Sequence, residues 1–173
     1  MWHSCAVPLA REELLVRARR VRLVAFDVDG VLTDGRLTYG PQGEALKTFH
    51  TRDGHGMVLL RLAGVPCAVL SARDSEIVRT RMRELGVFLL FQGERDKASG
   101  FERLCEAAGV LPDEIAYMGD DVNDIPVLER CGLAACPADA AAEALAHAHF
   151  VASQGGGCGA ARELCDLVLA ARG

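Results

Sequence analysis

The sequence is short of positive charge and of long hydrophobic stretches. Its 173 residues include 19 lysines and arginines against 24 aspartates and glutamates, which gives a net charge of −5. Because no basic stripe offsets that charge, we expect no nucleic-acid partner. No apolar run approaches the roughly 20 residues of a membrane-spanning helix, and the segment Met1 to Ala10 lacks the basic start of a signal peptide. We therefore expect no membrane partner and no export signal.

The usual patterns of disulfide and zinc sites are also missing. The seven cysteines include no C-x-x-C pair, and the five histidines show no ligand spacing. The number of cysteines is odd, and several of them stand in apolar surroundings (Cys67, Cys105, Cys165). This favours buried, reduced thiols over disulfides or zinc, and hence a cytoplasmic protein.

The sequence does contain what an α/β fold requires. Half of the residues are hydrophobic, which favours a folded core over disorder. From Val21–Phe26 onwards, short apolar runs typical of buried strands alternate with helix-like segments, among them one at 53–62 capped by Asp53 and one at 138–147. This alternation predicts a doubly wound parallel sheet, which is Rossmann-like. With no repeat and no linker, we expect residues 1–173 to form one domain.

Two segments fall outside the alternating pattern. Short runs around the turn Gly40-Pro41-Gln42-Gly43 predict a small β-hairpin flap at about residues 34–50. A tail at about residues 153–173 combines a glycine-rich loop, Gln154 to Gly159, with a terminal helix. Because four of the six loop residues are glycine, we expect the loop to be mobile until substrate or a neighbouring subunit fixes it.

The stretch from Val21 to Thr33 joins a buried strand to two carboxylates, Asp27 and Asp29, and then to Gly30. A strand buried on both faces cannot keep carboxylates inside the sheet, so both must emerge at its carboxyl end, where open parallel sheets bind ligands. Alternation points them to the same side, where their charges repel unless a cation or a shared proton intervenes. Mg²⁺ is the cation we predict, although a lone D-x-D fits an ordinary acidic loop equally well.

Later strands also end in polar residues. Ser71 could donate a hydrogen bond to a phosphoryl oxygen, but a serine after a strand is more often a helix cap. Lys97 opens a helix, where the dipole disfavours a cation unless an anion lies nearby; a solvated lysine is the alternative. The segment Gly119 to Asp124 places three carboxylates within five residues, which favours a metal site over an acidic helix cap.

In chain order, D-x-D-G-x-x-T, Ser71, Lys97 and G-D-D-x-x-D match the four motifs of the haloacid dehalogenase-like phosphohydrolases. The chain resembles that family over about residues 21–165. The resemblance implies that Asp27 is phosphorylated, that Asp29 exchanges protons with the leaving oxygen and with water, and that Ser71 and Lys97 bind the phosphoryl oxygens. It also implies a Mg²⁺ site built from the residues Asp27, Asp29 (main-chain carbonyl), Asp120, and Asp121 or Asp124 behind them.

Many members of the family cover the site with an inserted domain, for which this sequence has no room. Only about 20 residues separate Thr33 from Asp53, enough for a hairpin. The resemblance is therefore to the capless members, in which a neighbouring subunit closes the site, and it implies a homo-oligomer.

Further short motifs narrow the resemblance. Thr33-Asp34-Gly35, Arg52-Asp53-Gly54, Ser71-Ala72-Arg73 and the glycine loop before Arg162 look like the phosphatases of 3-deoxy-D-manno-octulosonate 8-phosphate, which are typically tetramers. The resemblance implies a sugar-acid phosphate as substrate, bound through Thr33, Arg52, Arg73 and Arg162, although each arginine alone is more often a surface residue. Phosphatases of nine-carbon sialic-acid-type sugars share most of these motifs, and Cys158 departs from the glycine-loop pattern. A noncatalytic assembly domain is a further alternative, against which the intact pair Asp27 and Asp29 argues.

Overall fold

The structure, a computed structural model, describes residues 9–173. Residues 1–8, on which most of the expectation about a signal peptide depends, lie outside the described residues. The α-helices of the described part are α1 (Arg11–Arg19), α2 (Thr51–Leu62), α3 (Glu76–Leu85), α4 (Lys97–Ala108), α5 (Ile125–Leu128), α6 (Ala142–Leu145) and α7 (Ala160–Ala170). The strands are β1 (Leu23–Phe26), β2 (Thr38–Gly40), β3 (Gly43–Leu46), β4 (Cys67–Leu70), β5 (Leu89–Phe91), β6 (Ile115–Met118), β7 (Leu133–Cys136) and β8 (Phe150–Val151).

Six strands form a parallel sheet in the order β5-β4-β1-β6-β7-β8. The central strand β1 pairs with β4 on one side and with β6 on the other, and all four of its residues are buried. The chain order therefore changes direction at β1, and ligands bind outside the carboxyl ends of the strands at such a switch point. The predicted doubly wound α/β fold is confirmed.

Helices cover both faces of the sheet, because successive side chains along a strand point to opposite faces. Val24 and Phe26 pack in one hydrophobic cluster with residues of α2 and α7, whereas Leu23 and Ala25 pack in a second cluster with residues of α4. Each fully buried large apolar side chain contributes about 1.5–3 kcal/mol. The two clusters together hold β1 in place and so fix the position of the residues that follow it.

The predicted hairpin flap is formed by β2 and β3, which pair antiparallel with Gly40 opposite Gly43. Gly43 has a φ of +109°, a conformation that residues with a side chain rarely adopt. Between β1 and α2 the chain contains no other strand or helix, so no cap domain is inserted there.

The start of α2 differs from the sequence prediction. The helix begins at Thr51 and is capped by His50, whose Nδ1 accepts a hydrogen bond from the Arg52 N–H at 3.1 Å. Asp53 lies in the first turn of α2 and is buried. Its Oδ1 accepts a hydrogen bond from the Arg162 N–H at 2.8 Å, so Asp53 caps α7, not its own helix.

The predicted helix at 138–147 is shortened to α6. The main chain before α6 bonds to other segments: the Ala138 N–H donates to the Gln154 carbonyl at 2.9 Å and the Ala141 N–H to the Asp120 carbonyl at 2.8 Å. These bonds tie the segment after β7 to two loops at the carboxyl edge of the sheet.

The six cysteines of the described part are all free. Cys67, Cys131, Cys136 and Cys165 are buried, Cys105 is half-buried and Cys158 is exposed. Burial raises the pKa of the Cys67 thiol to about 12, so that side chain behaves as a small apolar group. None of the helices in residues 9–173 combines the length and the apolar composition needed to cross a bilayer.

Candidate active site

Asp27 follows the last residue of β1 and lies at the switch point of the sheet. Its Oδ1 accepts a hydrogen bond from the Val28 N–H at 2.7 Å, and its Oδ2 lies 2.6 Å from Lys97 Nζ. Burial raises the pKa of Asp27 to about 6, an effect that Lys97 opposes and Asp124 reinforces. The carboxylate is thus fixed at both oxygens and held against a cation.

Lys97, the first residue of α4, is buried beneath this carboxylate. Its Nζ contacts Asp27 Oδ2 and Asp124 Oδ1 and lies 3.2 Å from Tyr117 Oη. Burial alone would lower the pKa of Lys97, but the two aspartates outweigh it and raise the pKa, so the ammonium group stays charged. Two anions therefore account for a cation at a helix N-terminus, as the sequence suggested.

Asp124 organises the turn that follows β6. It is fully buried, and its Oδ2 accepts hydrogen bonds from the N–H groups of Asp120 (3.0 Å) and Asp121 (3.2 Å). Tyr117 Oη donates to Asp124 Oδ1 at 2.5 Å. Sequence reasoning missed Tyr117, although a hydroxyl on an otherwise apolar strand just before the G-D-D segment was a signal for it. Since both carboxylate oxygens of Asp124 already have partners, its contacts are those of a positioning group.

Asp120 and Asp121, the other two carboxylates of this segment, face different surroundings. Asp120 lies against Gly30, where an added Cβ would come within 2.0 Å of Asp120 Oδ2. Asp121 is exposed, and its Oδ1 accepts a hydrogen bond from the Val122 N–H at 2.7 Å. Asp120 is therefore the carboxylate of this pair that packs against the loop after β1.

Asp29 is half-buried and contacts the hairpin flap. Its Oδ1 contacts Lys47 Nζ, and its Oδ2 lies 3.4 Å from Arg73 Nε. Sequence reasoning did not assign Lys47 or its neighbour Glu44, because a charged residue in a predicted hairpin is most simply a solvated one.

The remaining predicted residues lie in different surroundings. Ser71 is buried at the end of β4, and its Oγ accepts a hydrogen bond from the Arg73 N–H at 3.4 Å. The Thr33 hydroxyl donates to the Val28 carbonyl at 3.3 Å, within the loop after β1. Arg52 is exposed, and Arg162 Nε donates to Asp166 Oδ1 at 2.7 Å. Of the three arginines, the structure thus brings Arg73 to the aspartate pair within this chain.

The glycine loop, expected to be mobile, packs against the loop that follows β1. The Gly157 N–H donates to the Val31 carbonyl at 2.9 Å. A Cβ at Gly156 would come within 2.0 Å of the Gly30 carbonyl oxygen, and the Gly156 N–H donates to Asp139 Oδ1 at 2.9 Å. The glycines therefore allow a close approach between two backbones.

The acidic cluster fits a hard divalent cation. Asp27, Asp120 and Asp124 each offer a carboxylate oxygen within 4.8 Å of the others. Burial, together with the neighbouring Asp27 and Asp124, raises the pKa of Asp120 to about 8. Three crowded carboxylates with only one ammonium group among them lack positive charge, and carboxylate oxygens are the ligands that Mg²⁺ prefers. Asp124 is fully buried and bonds the turn after β6, whereas Asp27 and Asp120 both lie against the loop after β1, so we expect these two side chains to contact the cation.

At pH 8.5 we expect Mg²⁺ at roughly 100 times its Kd to raise the melting temperature by about 5 °C or more, and the same concentration at pH 6 to raise it less. A carboxyl group whose pKa is near 8 must lose its proton before it can bind a cation, so binding weakens as the pH falls. Thermal denaturation with and without Mg²⁺ at the two pH values measures this. Asp120→Ala should lose the shift, and the remote surface variant Asp113→Asn should keep it. An Mg²⁺ shift that Asp120→Ala retains in full would contradict the assignment.

Comparison with known proteins agrees with this geometry. Residues 68–162 match the family model described as haloacid dehalogenase-like hydrolase. The 3-deoxy-D-manno-octulosonate 8-phosphate phosphatase of Yersinia pestis is 39% identical over 169 residues, which cover 98% of this chain and 90% of that protein. Its crystal structure superimposes with a TM-score of 0.91, covering 98% of this chain and 91% of the other.

Two further solved structures carry ligands. The Moraxella catarrhalis 3-deoxy-D-manno-octulosonate 8-phosphate phosphatase, in complex with a magnesium ion, a phosphate ion and a KDO molecule, is 32% identical with a TM-score of 0.89, covering 92% of each chain. The cobalt-bound Haemophilus influenzae phosphatase is 43% identical with a TM-score of 0.88, covering 90% of this chain and 91% of the other. The family match and the near full-length similarity together show that the chain belongs to the haloacid dehalogenase-like hydrolases and, within them, to the family of the 3-deoxy-D-manno-octulosonate 8-phosphate phosphatases.

Proposed function

We propose that this protein is a Mg²⁺-dependent phosphatase that hydrolyses 3-deoxy-D-manno-octulosonate 8-phosphate to the free sugar acid and phosphate, a step in the biosynthesis of lipopolysaccharide precursors. The observation that carries the proposal is Asp27 at the switch point, 2.6 Å from the buried Lys97 and within reach of Asp120, in a chain 39% identical to the Yersinia enzyme.

The reaction proceeds in two displacements on phosphorus. A carboxylate oxygen of Asp27 forms a bond to phosphorus while the bond from phosphorus to the sugar oxygen breaks, and Asp29 gives its proton to that oxygen. Water then attacks phosphorus, the bond to Asp27 breaks, and Asp29 takes a proton from the water. The products are the sugar acid and phosphate, and both aspartates return to their starting states.

The groups around Asp27 serve to stabilise charge. Lys97 Nζ and the Ser71 hydroxyl donate hydrogen bonds to the phosphoryl oxygens, which carry most of the charge in the transition state. Bound Mg²⁺ would supply further positive charge at the phosphoryl group; the Asp27 carboxylate, the Asp29 main-chain carbonyl and Asp120 would hold it, with Asp121 or Asp124 behind them.

The sugar-acid carboxylate requires cations beyond the phosphate site. Arg73 is the arginine beside the aspartate pair, with Nη2 donating to Tyr39 Oη at 3.2 Å. Arg52 is exposed and Arg162 is paired with Asp166; in a homo-oligomer, which we propose to be a tetramer, these two arginines reach the substrate of a neighbouring subunit. The exposed apolar side chains of the flap support this, since Leu37, Tyr39 and Leu46 are between 41% and 63% exposed. Thr33 supports substrate binding through the loop after β1.

A phosphate-release assay over a panel of phosphate monoesters tests the proposal. We expect kcat/KM for 3-deoxy-D-manno-octulosonate 8-phosphate to exceed that for neutral sugar phosphates by at least about 100-fold, because a site built to pair a carboxylate is left with unpaired charges by a substrate that lacks one. A preference for a nine-carbon sialic-acid-type 9-phosphate would replace the substrate but keep the chemistry. Absence of turnover on every ester, in the presence of Mg²⁺, would favour a noncatalytic role.

A further inference from the structure

The flap carries a lysine whose side chain is almost fully buried. Lys47 directly follows β3, and its side chain is 1% exposed, although the hairpin around it is mostly exposed. Its Nζ contacts Asp29 Oδ1 and lies 3.1 Å from Glu44 Oε1. The sequence contains two lysines against 17 arginines, and both lysines are buried on the aspartates that follow β1.

Burying an ammonium group is costly unless opposite charges and hydrogen bonds compensate for it. A two-stranded hairpin with a mostly exposed surface has little apolar area to offset that cost. The contacts with Asp29 and Glu44 supply the compensation, and they connect the flap to the loop after β1.

Glu44 is itself fixed to the body of the fold. The Ser75 hydroxyl donates to Glu44 Oε2, and Arg73 Nη2 donates to Glu44 Oε1 at 3.5 Å. Burial alone would raise the pKa of Glu44, but the hydrogen bonds from Ser75 and Lys47 outweigh it and lower the pKa, so the carboxylate is ionised. The flap is thus held by an alternating array of charges that ends on Asp29.

The two aspartates after β1 are held in different ways. Asp27 accepts a hydrogen bond from the Val28 N–H and contacts Lys97 at the start of α4, so neither partner belongs to the flap. Within the described residues, the Asp29 carboxylate contacts two side chains, Lys47 from the flap and Arg73 from the loop after β4. The orientation of the Asp29 carboxylate therefore depends on the position of the flap.

We propose that Lys47 is a positioning residue for the proton transfer by Asp29, holding that carboxylate so that it faces the leaving oxygen only when the flap is docked. The inference rests on the proposed function, because it assigns a role to Asp29 in that chemistry. Lys47 itself gives up no proton in this scheme; the proton moves from Asp29 to the leaving oxygen.

Lys47→Met, which keeps the length of the side chain and removes its charge, tests the proposal with two aryl esters. p-Nitrophenyl phosphate releases p-nitrophenolate, which departs without being protonated, whereas the phenolate of phenyl phosphate must be protonated as it departs. The ratio kcat/KM reports the step in which the leaving group departs. We expect Lys47→Met to lose about 10- to 100-fold on phenyl phosphate and less than about threefold on p-nitrophenyl phosphate, since a positioned acid contributes about 10²- to 10⁴-fold. Arg36→Met, which removes a cation 88% exposed in the part of the flap before β2, should change neither.

A second pair of variants tests whether Lys47 acts through Asp29. In an Asp29→Asn background, Lys47→Met should cost less than about threefold on phenyl phosphate, because the group it positions no longer transfers protons. Lys47→Arg, which keeps the charge, should recover most of the loss. Equal losses on both esters, or an undiminished loss in the Asp29→Asn background, would overturn the proposal and make Lys47 a purely structural contact or a phosphate ligand. These outcomes do not depend on which sugar is the natural substrate, so failure of that assignment is a separate result.

Discussion

Asp27→Asn is expected to reduce kcat by at least about 10⁴-fold while the protein keeps its fold. The amide oxygen has the size of the carboxylate oxygen but is a poor nucleophile, so the covalent step fails. Lys97 retains Asp124 as a partner in this variant. Burial raises the pKa of Asp27 to about 6, so the group is mostly ionised at neutral pH, and its charge is less favourable in the fold than in the unfolded chain. Removing that charge should therefore leave the melting temperature unchanged or raise it.

Phosphate release and thermal denaturation measure the two effects of Asp27→Asn separately. Asp34→Asn, a neutralised carboxylate seven residues further along and paired only with the exposed Arg36, is the matched control and should retain activity. Turnover by Asp27→Asn within about tenfold of the wild type would remove Asp27 from the role of nucleophile. A loss of activity accompanied by unfolding would make its role structural.

Lys97→Met is expected to impair both stability and activity, with a loss of about 3–5 kcal/mol in the free energy of unfolding. The side chain is buried between two carboxylates, and its removal leaves those charges without a counter-ion. Because the pKa of Lys97 is raised by the same aspartates, its stabilising charge is present throughout the neutral range and is lost only as the pH rises through that raised value. Urea denaturation at neutral pH measures the loss.

The double variant Lys97→Met with Asp124→Asn separates the two roles of the lysine. Neutralising Asp124 removes one of the uncompensated charges, so a substantial part of the stability should return. Activity should not return, because no ammonium group is left to bind the phosphoryl oxygens. If the free energy of unfolding of Lys97→Met alone lies within about 1 kcal/mol of the wild-type value, the buried ion pairs of Lys97 contribute little to stability.

The parts of the site that sequence reasoning found share one property: they stand at the ends of strands. Asp27, Ser71 and Asp120 each follow a buried apolar run, and the topology of a parallel sheet brings such residues to one edge. Lys97 stood out because a cation at a helix N-terminus is unfavourable unless an anion lies nearby. Local pattern and general topology predicted where these residues lie, whereas the roles of Ser71 and Lys97 came from the order of the four motifs and the family resemblance.

The parts that it missed depend on contacts between distant segments. The ion pair of Lys47 with Asp29 joins residues 18 apart through the docking of a hairpin, which no periodicity encodes. Asp53 was assigned to its own helix, whereas His50 takes that place and Asp53 bonds to a residue 109 positions away. The glycines of the loop before α7 allow either mobility or close packing, and the sequence does not show that Gly156 lies against Gly30 and Gly157 against Thr33.

Because the chain has only two lysines, chemical labelling of lysine side chains can report the transient opening of the flap. Reagents that acylate side-chain amines find two targets, and both have side chains no more than 1% exposed. Lys97 lies in the packed body of the fold, so its modification follows global unfolding, whereas Lys47 is freed as soon as the flap lifts. The rate at which a mild amine reagent labels Lys47 can be measured by mass spectrometry. That rate therefore reports how often the flap opens, and no label has to be engineered into the protein.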